Sequence, residues 1–425
     1  SSQMLKPSTK RADILDRNGS ILATNLITNA LYAKPRMMIN RNFAAGELAK
    51  IFPELKFEKL LKLLGSDRKF VWIKRKISPE QMQAVHELGE PGLRFGPREM
   101  RLYPNGRLAS HVLGGVNFGK EGVNSAELVG IAGVELKFDQ FLQDNLGKGV
   151  PLILSLDLGI QSAMEHVLSG GMKLMNAKGA TAVLMDIHSG EILSMVSLPD
   201  FDPNDRILSG KGKKGSENPL FNKSVQGLYE LGSVFKVFTA AAVLEDGLVK
   251  PDTLVDTTSP IWWGKHKISN YHRLPDELSF TDVLVESSNT GTSRLAKELG
   301  ATRQKEFLKS LGFFDNTGIE LVEASHIKSK YPANWSEIST MTISYGHGIS
   351  SSPLHVASAF ATLLNGGTKV RPTLLNRNSQ NAKGDRIIST NVSNELIKIL
   401  HQVVDRGTAS AANVDGYSVA GKTGT

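Results

Sequence analysis

The chain has 425 residues, no cysteine, 50 Lys and Arg against 42 Asp and Glu, and a formal net charge of +8. That length suggests two or more domains, and the 40% hydrophobic and 22% charged content is ordinary for a globular protein, which excludes disorder as the default state. The lack of Cys excludes disulfides, thiolate metal sites and a Cys nucleophile, and scattered basic residues with only 7% aromatics argue against a nucleic-acid surface.

In chain order, residues 10–40 read as short extended stretches separated by turns. Asp16-Arg17-Asn18-Gly19 is a hairpin signal between Ile14-Leu15 and Ile21-Leu22. Residues 43–64 read as two amphipathic helices broken at Pro53, with Leu48, Ile51, Leu60, Leu61 and Leu64 inward. Val71 to Lys76 reads as a strand. Ser78-Pro79-Glu80 starts a helix, with Ser as the cap and Pro in the first turn. Residues 91–150 are Gly-rich and mixed, and Leu146 to Pro151 reads as a boundary linker.

Beyond the linker, Leu152 to Leu156 reads as a strand and a helix follows from about Ile160. Ala182 to Met185 and Ile192 to Val196 form a hairpin around His188-Ser189-Gly190. An apolar helix opens at Ser233 and ends near Gly247. Ser279 to Leu299 reads as two helices interrupted at Ser287-Ser288-Asn289. Thr340 to Ser344 is strand-like, Pro353 to Asn365 and Asn394 to Val404 are helices, and Tyr417 to Thr425 is a short closing strand. Strands first, helices in the middle and a strand last imply an α+β fold. No apolar run approaches the roughly 20 residues that span a bilayer. Ser1-Ser2-Gln3-Met4 does not look like a natural start, which suggests a chain trimmed downstream of an anchor.

The chemistry concentrates at Ser233-Val234-Phe235-Lys236. Lys236 is the only charged residue between Ser233 and Leu244, in a helix apolar enough to be buried all round. A buried ammonium must find partners or give up its proton. Ser233 lies three residues earlier on the same helical face, so a hydroxyl stands beside a desolvated amine: a nucleophile beside its base. The bland alternative is a capping serine with a lysine reaching to solvent. At Ser287 and Asn289, a polar break between helices aims a hydroxyl and an amide into a cleft, against the alternative of a capping turn. At Lys422-Thr423-Gly424-Thr425, a cation and two hydroxyls lie on a strand where Gly admits a close backbone approach. The alternative there is an edge strand blunted by Lys.

Other candidates carry less. His86-Glu87-Leu88-Gly89-Glu90 lacks the second His of a zinc helix, and no His pair has metal-ligand spacing. His266 and His272 flank Trp262-Trp263 as surface or cleft residues. His347, in Tyr345-Gly346-His347-Gly348, either lines the site or serves a turn. Phosphate-binding glycine loops are missing.

The ordered trio Ser-x-x-Lys, Ser-x-Asn and Lys-Thr-Gly is the signature of β-lactamases and penicillin-binding proteins. With its flanks, the chain resembles the class B penicillin-binding proteins, the monofunctional peptidoglycan D,D-transpeptidases. Arg11-Ala12-Asp13-Ile14-Leu15-Asp16-Arg17-Asn18-Gly19 is similar to the family's segment after the membrane anchor. Gly130-Ile131-Ala132-Gly133-Val134-Glu135 resembles its junction before the catalytic domain. Tyr229-Glu230-Leu231-Gly232-Ser233 is similar to Tyr-Glu-Pro-Gly-Ser, with Leu231 for Pro loosening the turn. The opening segment most resembles the division-specific septal enzyme, though elongation-specific relatives share much of it.

The resemblance implies a non-catalytic pedestal or dimerisation-type domain over residues 1–150. It implies a serine β-lactamase-like transpeptidase domain, antiparallel sheet with helices, over residues 151–425, truncated after the Lys-Thr-Gly strand. In the implied mechanism Ser233 attacks the carbonyl between two D-alanines of a stem peptide and Lys236 takes its proton. Ser287 and Lys422 relay the proton to the leaving D-alanine, and Asn289 holds the substrate amide. The N–H groups of Ser233 and Thr425 form the oxyanion hole, Thr423 and Thr425 hold the terminal carboxylate, and Gly424 lets the substrate backbone approach. A second stem peptide resolves the acyl-enzyme into a cross-link, and β-lactams bind covalently. No metal or organic cofactor is needed. The implied partners are stem peptides, β-lactams and divisome membrane proteins, including a lipid II polymerase, with no nucleic acid. The implied location is a single-pass anchor in the bacterial inner membrane with the catalytic domain in the periplasm. Two rivals stand: a β-lactamase, against which Phe360 to Asn365 offers no Glu to activate a deacylating water, and a non-catalytic penicillin sensor or scaffold.

Overall fold

Strands Ile14–Leu15 and Ile21–Ala33 pair antiparallel as the turn signal between them predicts, and Gly19 takes the left-handed φ of +87° that the turn needs. The structure is a computed structural model that describes residues 11–121, 126–144, 150–206, 214–377 and 384–425. It divides into two units, one holding residues up to 15, 21–106 and 113–152, the other 16–20, 107–112 and 153–425. The predicted linker residues Leu146 to Gly149 lie outside the described residues.

In the first unit, Ile21–Ala33 is one long strand of 13 residues where short stretches were expected. It pairs with Leu93–Leu102 along one edge and Val71–Ile77 along the other. Leu93–Leu102, Gly115–Glu121 and Ala126–Ala132 are strands in the stretch that looked merely mixed. Their alternation is broken by charged residues such as Arg98 and Arg101, which are themselves buried. Helices Arg41–Ile51 and Phe57–Leu64 pack Leu48, Phe52, Leu60 and Leu64 into one core, with Ile51 and Leu61 partly covered at its margin. Ser78 caps helix Pro79–Glu87 through a reciprocal pair of bonds with Gln81. Arg11 and Arg101 both donate to the fully buried Glu135 carboxylate, at 2.6 and 2.7 Å, and Arg11 also donates to Asp139.

In the second unit, Ala180–Met185 and Ile192–Leu198 form the expected antiparallel hairpin. Helix Leu158–Leu174 starts at an Asp157 cap, Pro353–Leu364 at Ser352 and Thr390–Arg406 at Ser389. The main core gathers Phe235, Phe238, Phe280, Phe313, Leu363, Leu396 and Leu400, each fully or almost fully buried. Burial of side chains this size stabilises by about 1.5–3 kcal/mol each.

Three strand expectations fail here. The Leu152 to Leu156 strand shortens to Leu152–Ile153, because Leu154 changes partner and bridges Leu375. Thr340 to Ser344 lies in helix Glu337–Ile343 and its C-terminal cap. Ser336 caps that helix, and Thr340 returns its hydroxyl to the Ser336 carbonyl at 3.0 Å, so capping overrides β-branched propensity. Tyr417 to Thr425 is not in a strand: the Gly421 N–H donates to Leu400 O on a helix, and among the described residues the segment joins no ladder. No helix among the described residues is long and apolar enough to cross a membrane.

Candidate active site

Lys236 is the first residue of helix Lys236–Glu245, and every position from Lys236 to Leu244 is buried. An amine at the head of so apolar a helix cannot reach water, and Lys236 has 0% exposure. Its Nζ lies 3.1 Å from Ser233 Oγ and 3.0 Å from Ser287 Oγ, and it donates to the Ser287 carbonyl. Burial, and then the neighbouring charge of Lys422, hold its pKa well below the usual lysine range. The snorkelling alternative therefore fails.

Ser233 sits in a 3-10 turn, Gly232–Phe235, rather than in the α-helix the sequence suggested. Its side chain caps neither that turn nor the helix, so the capping alternative fails as well. Gly232 has a φ of +56°, and a Cβ there would strike the Thr425 carbonyl. A Cβ on Gly346 would strike the Gly232 carbonyl, and one on Gly424 would strike the Leu231 carbonyl. Three backbone segments thus touch around the Ser233 turn. The missing side chain of Gly424 makes room for this turn, where the sequence suggested room for a ligand.

The break between helices Phe280–Val285 and Asn289–Leu299 serves two purposes. Ser288 does cap the second helix, accepting from Gly291 N at 3.1 Å. Ser287 does something else: at a φ of +58°, its Oγ stands 3.0 Å from Lys236 Nζ and 2.9 Å from Lys422 Nζ. Asn289 is the first residue of the second helix, half-buried, and its side-chain amide donates to Ser269 O at 2.9 Å.

Lys422 is half-buried, and burial pulls its pKa down to about 8. It also contacts Thr423 O and Oγ1 at 3.3 and 3.4 Å. Thr423, Gly424 and Thr425 are exposed beside it. Ser233, Lys236, Ser287 and Lys422 therefore form one continuous chain of contacts from three distant parts of the sequence. Thr423 Oγ1 also donates to Thr408 Oγ1 at 3.0 Å, and Glu230 accepts from Gly348 N at 3.1 Å. Sequence reasoning named neither role. Thr408 carries no local signal, whereas Glu230 stood inside the quoted Tyr-Glu-Leu-Gly-Ser stretch. His347 is exposed beside Tyr345, their rings 5.1 Å apart, and His266 and His272 are exposed as expected.

The sequence profile of the penicillin binding protein transpeptidase domain matches residues 180–425, and that of the penicillin-binding protein dimerisation domain matches residues 6–150. The chain is 32% identical to the probable peptidoglycan D,D-transpeptidase FtsI of Caulobacter vibrioides, over 98% of this chain and 68% of that protein. It is 29% identical to stage V sporulation protein D of Bacillus subtilis, over 100% of this chain and 70% of that protein. Among solved structures, penicillin-binding protein PBP2 of Helicobacter pylori, determined in complex with MreC, shares the fold. It matches with a TM-score of 0.82 at 22% identity, covering 98% of this chain and 88% of that one.

Proposed function

This chain belongs to the penicillin-binding protein transpeptidase family, and from that premise we propose that Ser233 is the acylated nucleophile of a peptidoglycan D,D-transpeptidase. The observation that carries the reading is Lys236: wholly buried, pKa lowered, and 3.1 Å from Ser233 Oγ. A neutral amine has one lone pair. Used on the Ser233 hydroxyl proton, it leaves the amine N–H groups to donate to Ser287 O and Ser287 Oγ.

The reaction then runs as two acyl transfers. Ser233 Oγ bonds to the carbonyl carbon of the penultimate D-alanine as its proton passes to Lys236. The oxyanion is received by the N–H groups of Ser233 and Thr425, preorganised donors of the kind that contribute strongly to acyl transfer. The terminal carboxylate rests against Lys422, Thr423 and Thr425, with the Gly424 backbone between them. Asn289 orients the peptide amide. As the C–N bond breaks, the leaving amine takes the Ser287 hydroxyl proton, which is replaced through Lys422 and Lys236. The acceptor amine of a second stem peptide then attacks the ester, and Ser233 recovers its proton. A β-lactam enters at the first step and leaves an ester on Ser233.

We place the reaction in septal wall synthesis, on the outer face of the inner membrane and in company with divisome membrane proteins. The likeness to FtsI supports that choice, and the likeness to a sporulation protein and to the PBP2 fold keeps an elongation or sporulation role as the competing outcome. Depletion in the source bacterium separates them: filaments indicate septation, rounded cells elongation.

The chemical reading is tested by incubating the chain with a fluorescent penicillin and mapping the adduct by mass spectrometry. A stable label on Ser233, lost in Ser233→Ala, is expected. A label elsewhere overturns the assignment, and turnover within seconds makes the chain a β-lactamase.

A further inference from the structure

We propose that Asn270 is a positioning residue for acylation: its side chain fixes the backbone that aims Ser287 at the two lysines. This rests on the reading of Ser233, Lys236 and Ser287 as an acylating set. Asn270 follows the small hairpin of strands Ile261–Trp263 and His266–Ile268. Its side-chain carbonyl accepts from the N–H groups of Asn289 and Thr290 at 2.9 and 3.1 Å and from the Ser288 hydroxyl at 3.1 Å. Its amide donates to Thr290 Oγ1 at 3.0 Å and to Thr257 O at 3.3 Å.

The first N–H groups of a helix have no partner within it. Helix Asn289–Leu299 hands two of them to Asn270 and the third, from Gly291, to its own cap Ser288. One side chain from outside the helix thus holds three consecutive residues, Ser288 to Thr290. Ser287 precedes them directly, with the left-handed φ of +58°. That conformation costs a non-glycine residue about 1–3 kcal/mol and persists only where its surroundings over-determine it. On the upstream side, Ser287 N donates to Leu284 O and Ser288 N to Val283 O. On the downstream side Asn270 accepts both open N–H groups, alongside bonds from Thr290 Oγ1 to Thr257 O at 2.8 Å and from the Asn289 side chain to Ser269 O at 2.9 Å, and Lys236 donates to the Ser287 carbonyl.

Without Asn270 the first two N–H groups of the helix lose their acceptor, so the helix start shifts and the strained Ser287 shifts with it. Its Oγ then leaves the point 3.0 Å from Lys236 and 2.9 Å from Lys422. A misplacement of about 1 Å at reacting groups slows a reaction by about 100-fold. Asn270 has no hydrogen bond to the side chains of Ser233, Lys236, Ser287 or Lys422, so its effect on those four passes through the backbone it holds.

The test compares wild type, Asn270→Ala and Asn270→Asp by stopped-flow acylation with a fluorescent penicillin over a range of concentrations. Asp keeps an acceptor at the positive end of the helix but loses the amide that donates to Thr290 Oγ1 and Thr257 O. The limiting acylation rate of the Ala variant is expected to fall by about 100-fold, with the half-saturating concentration moving less than about threefold. The Asp variant is expected to recover at least about tenfold of that loss, since the two helix N–H groups keep their acceptor. A purely structural role predicts a smaller labelled fraction at the wild-type rate. That outcome, or an Ala variant that acylates like wild type, overturns the proposal. Failure of the wild type itself to label overturns instead the acyl-enzyme reading beneath it.

Discussion

Ser287→Ala isolates the proton path from the placement of the base. The substitution removes one hydroxyl that stands 3.0 Å from Lys236 Nζ and 2.9 Å from Lys422 Nζ. Lys236 keeps two of its three partners, Ser233 Oγ and the Ser287 carbonyl, so the base stays in place. Lys422 keeps its contacts with Thr423. The lost hydrogen bonds are worth about 0.5–1.5 kcal/mol each, a modest change in unfolding free energy. The kinetic loss is larger. Positioned proton transfer contributes about 10²–10⁴-fold, which at 1.36 kcal/mol per decade is about 2.7–5.4 kcal/mol of barrier. The assay is stopped-flow acylation by a fluorescent penicillin, paired with urea unfolding of the same preparation. A rate within about threefold of wild type, in a variant that is folded, refutes the role of Ser287 in the proton path.

The acylation rate is expected to fall above about pH 8, where Lys422 loses the charge that attracts the substrate carboxylate; a rate still rising at pH 9.5 contradicts this. Lys422→Met removes the positive charge beside Lys236, so the base regains some affinity for its proton and the rising limb of the pH profile moves to higher pH. An unmoved limb would show that burial alone sets the Lys236 pKa. In the first unit, Glu135→Ala leaves the buried Arg11 and Arg101 without their shared carboxylate and is expected to cost about 3–5 kcal/mol in urea unfolding. A loss below about 1 kcal/mol would mean that the remaining partners, which include Asp139, Asn25 and the carbonyls of residues 128 and 135, suffice.

What the sequence revealed of this site depended on how local each cause is. Lys236 was readable because its burial follows from its own helix: one charge among apolar neighbours has nowhere else to go. Ser287 was readable as a helix break, but its left-handed backbone was not, since Ser-Ser-Asn suits an ordinary capping turn equally well. Asn270 was invisible, because its role arises only when the loop at 269–271 meets a helix start nearly twenty residues later in the chain. The glycines illustrate the same limit. Gly232, Gly346 and Gly424 each looked like a local turn or a gap for a ligand, yet each is small because another backbone segment presses on it. The strands expected at 340–344 and 417–425 fail because a short stretch carries no knowledge of whether a neighbouring strand is there to pair with.

The depth gradient across Ser287 also bears on how the proposed mechanism divides its work between the two lysines. Two ammonium groups on one hydroxyl repel each other, so the pair gains by discharging one of them. The deeper amine gives way: Lys236 has no exposure, whereas Lys422 is half-buried. Burial, and then the charge of Lys422, hold the Lys236 pKa well below the usual lysine range, and burial pulls that of Lys422 down to about 8, which supports Lys236 as the base of the proposed mechanism. The Lys236 Nζ faces Ser233 Oγ and the Lys422 Nζ lies beside the exposed Thr423-Gly424-Thr425 segment. In the proposed mechanism two lysines of the same chemical type thus take different duties, and their difference in burial supports that assignment.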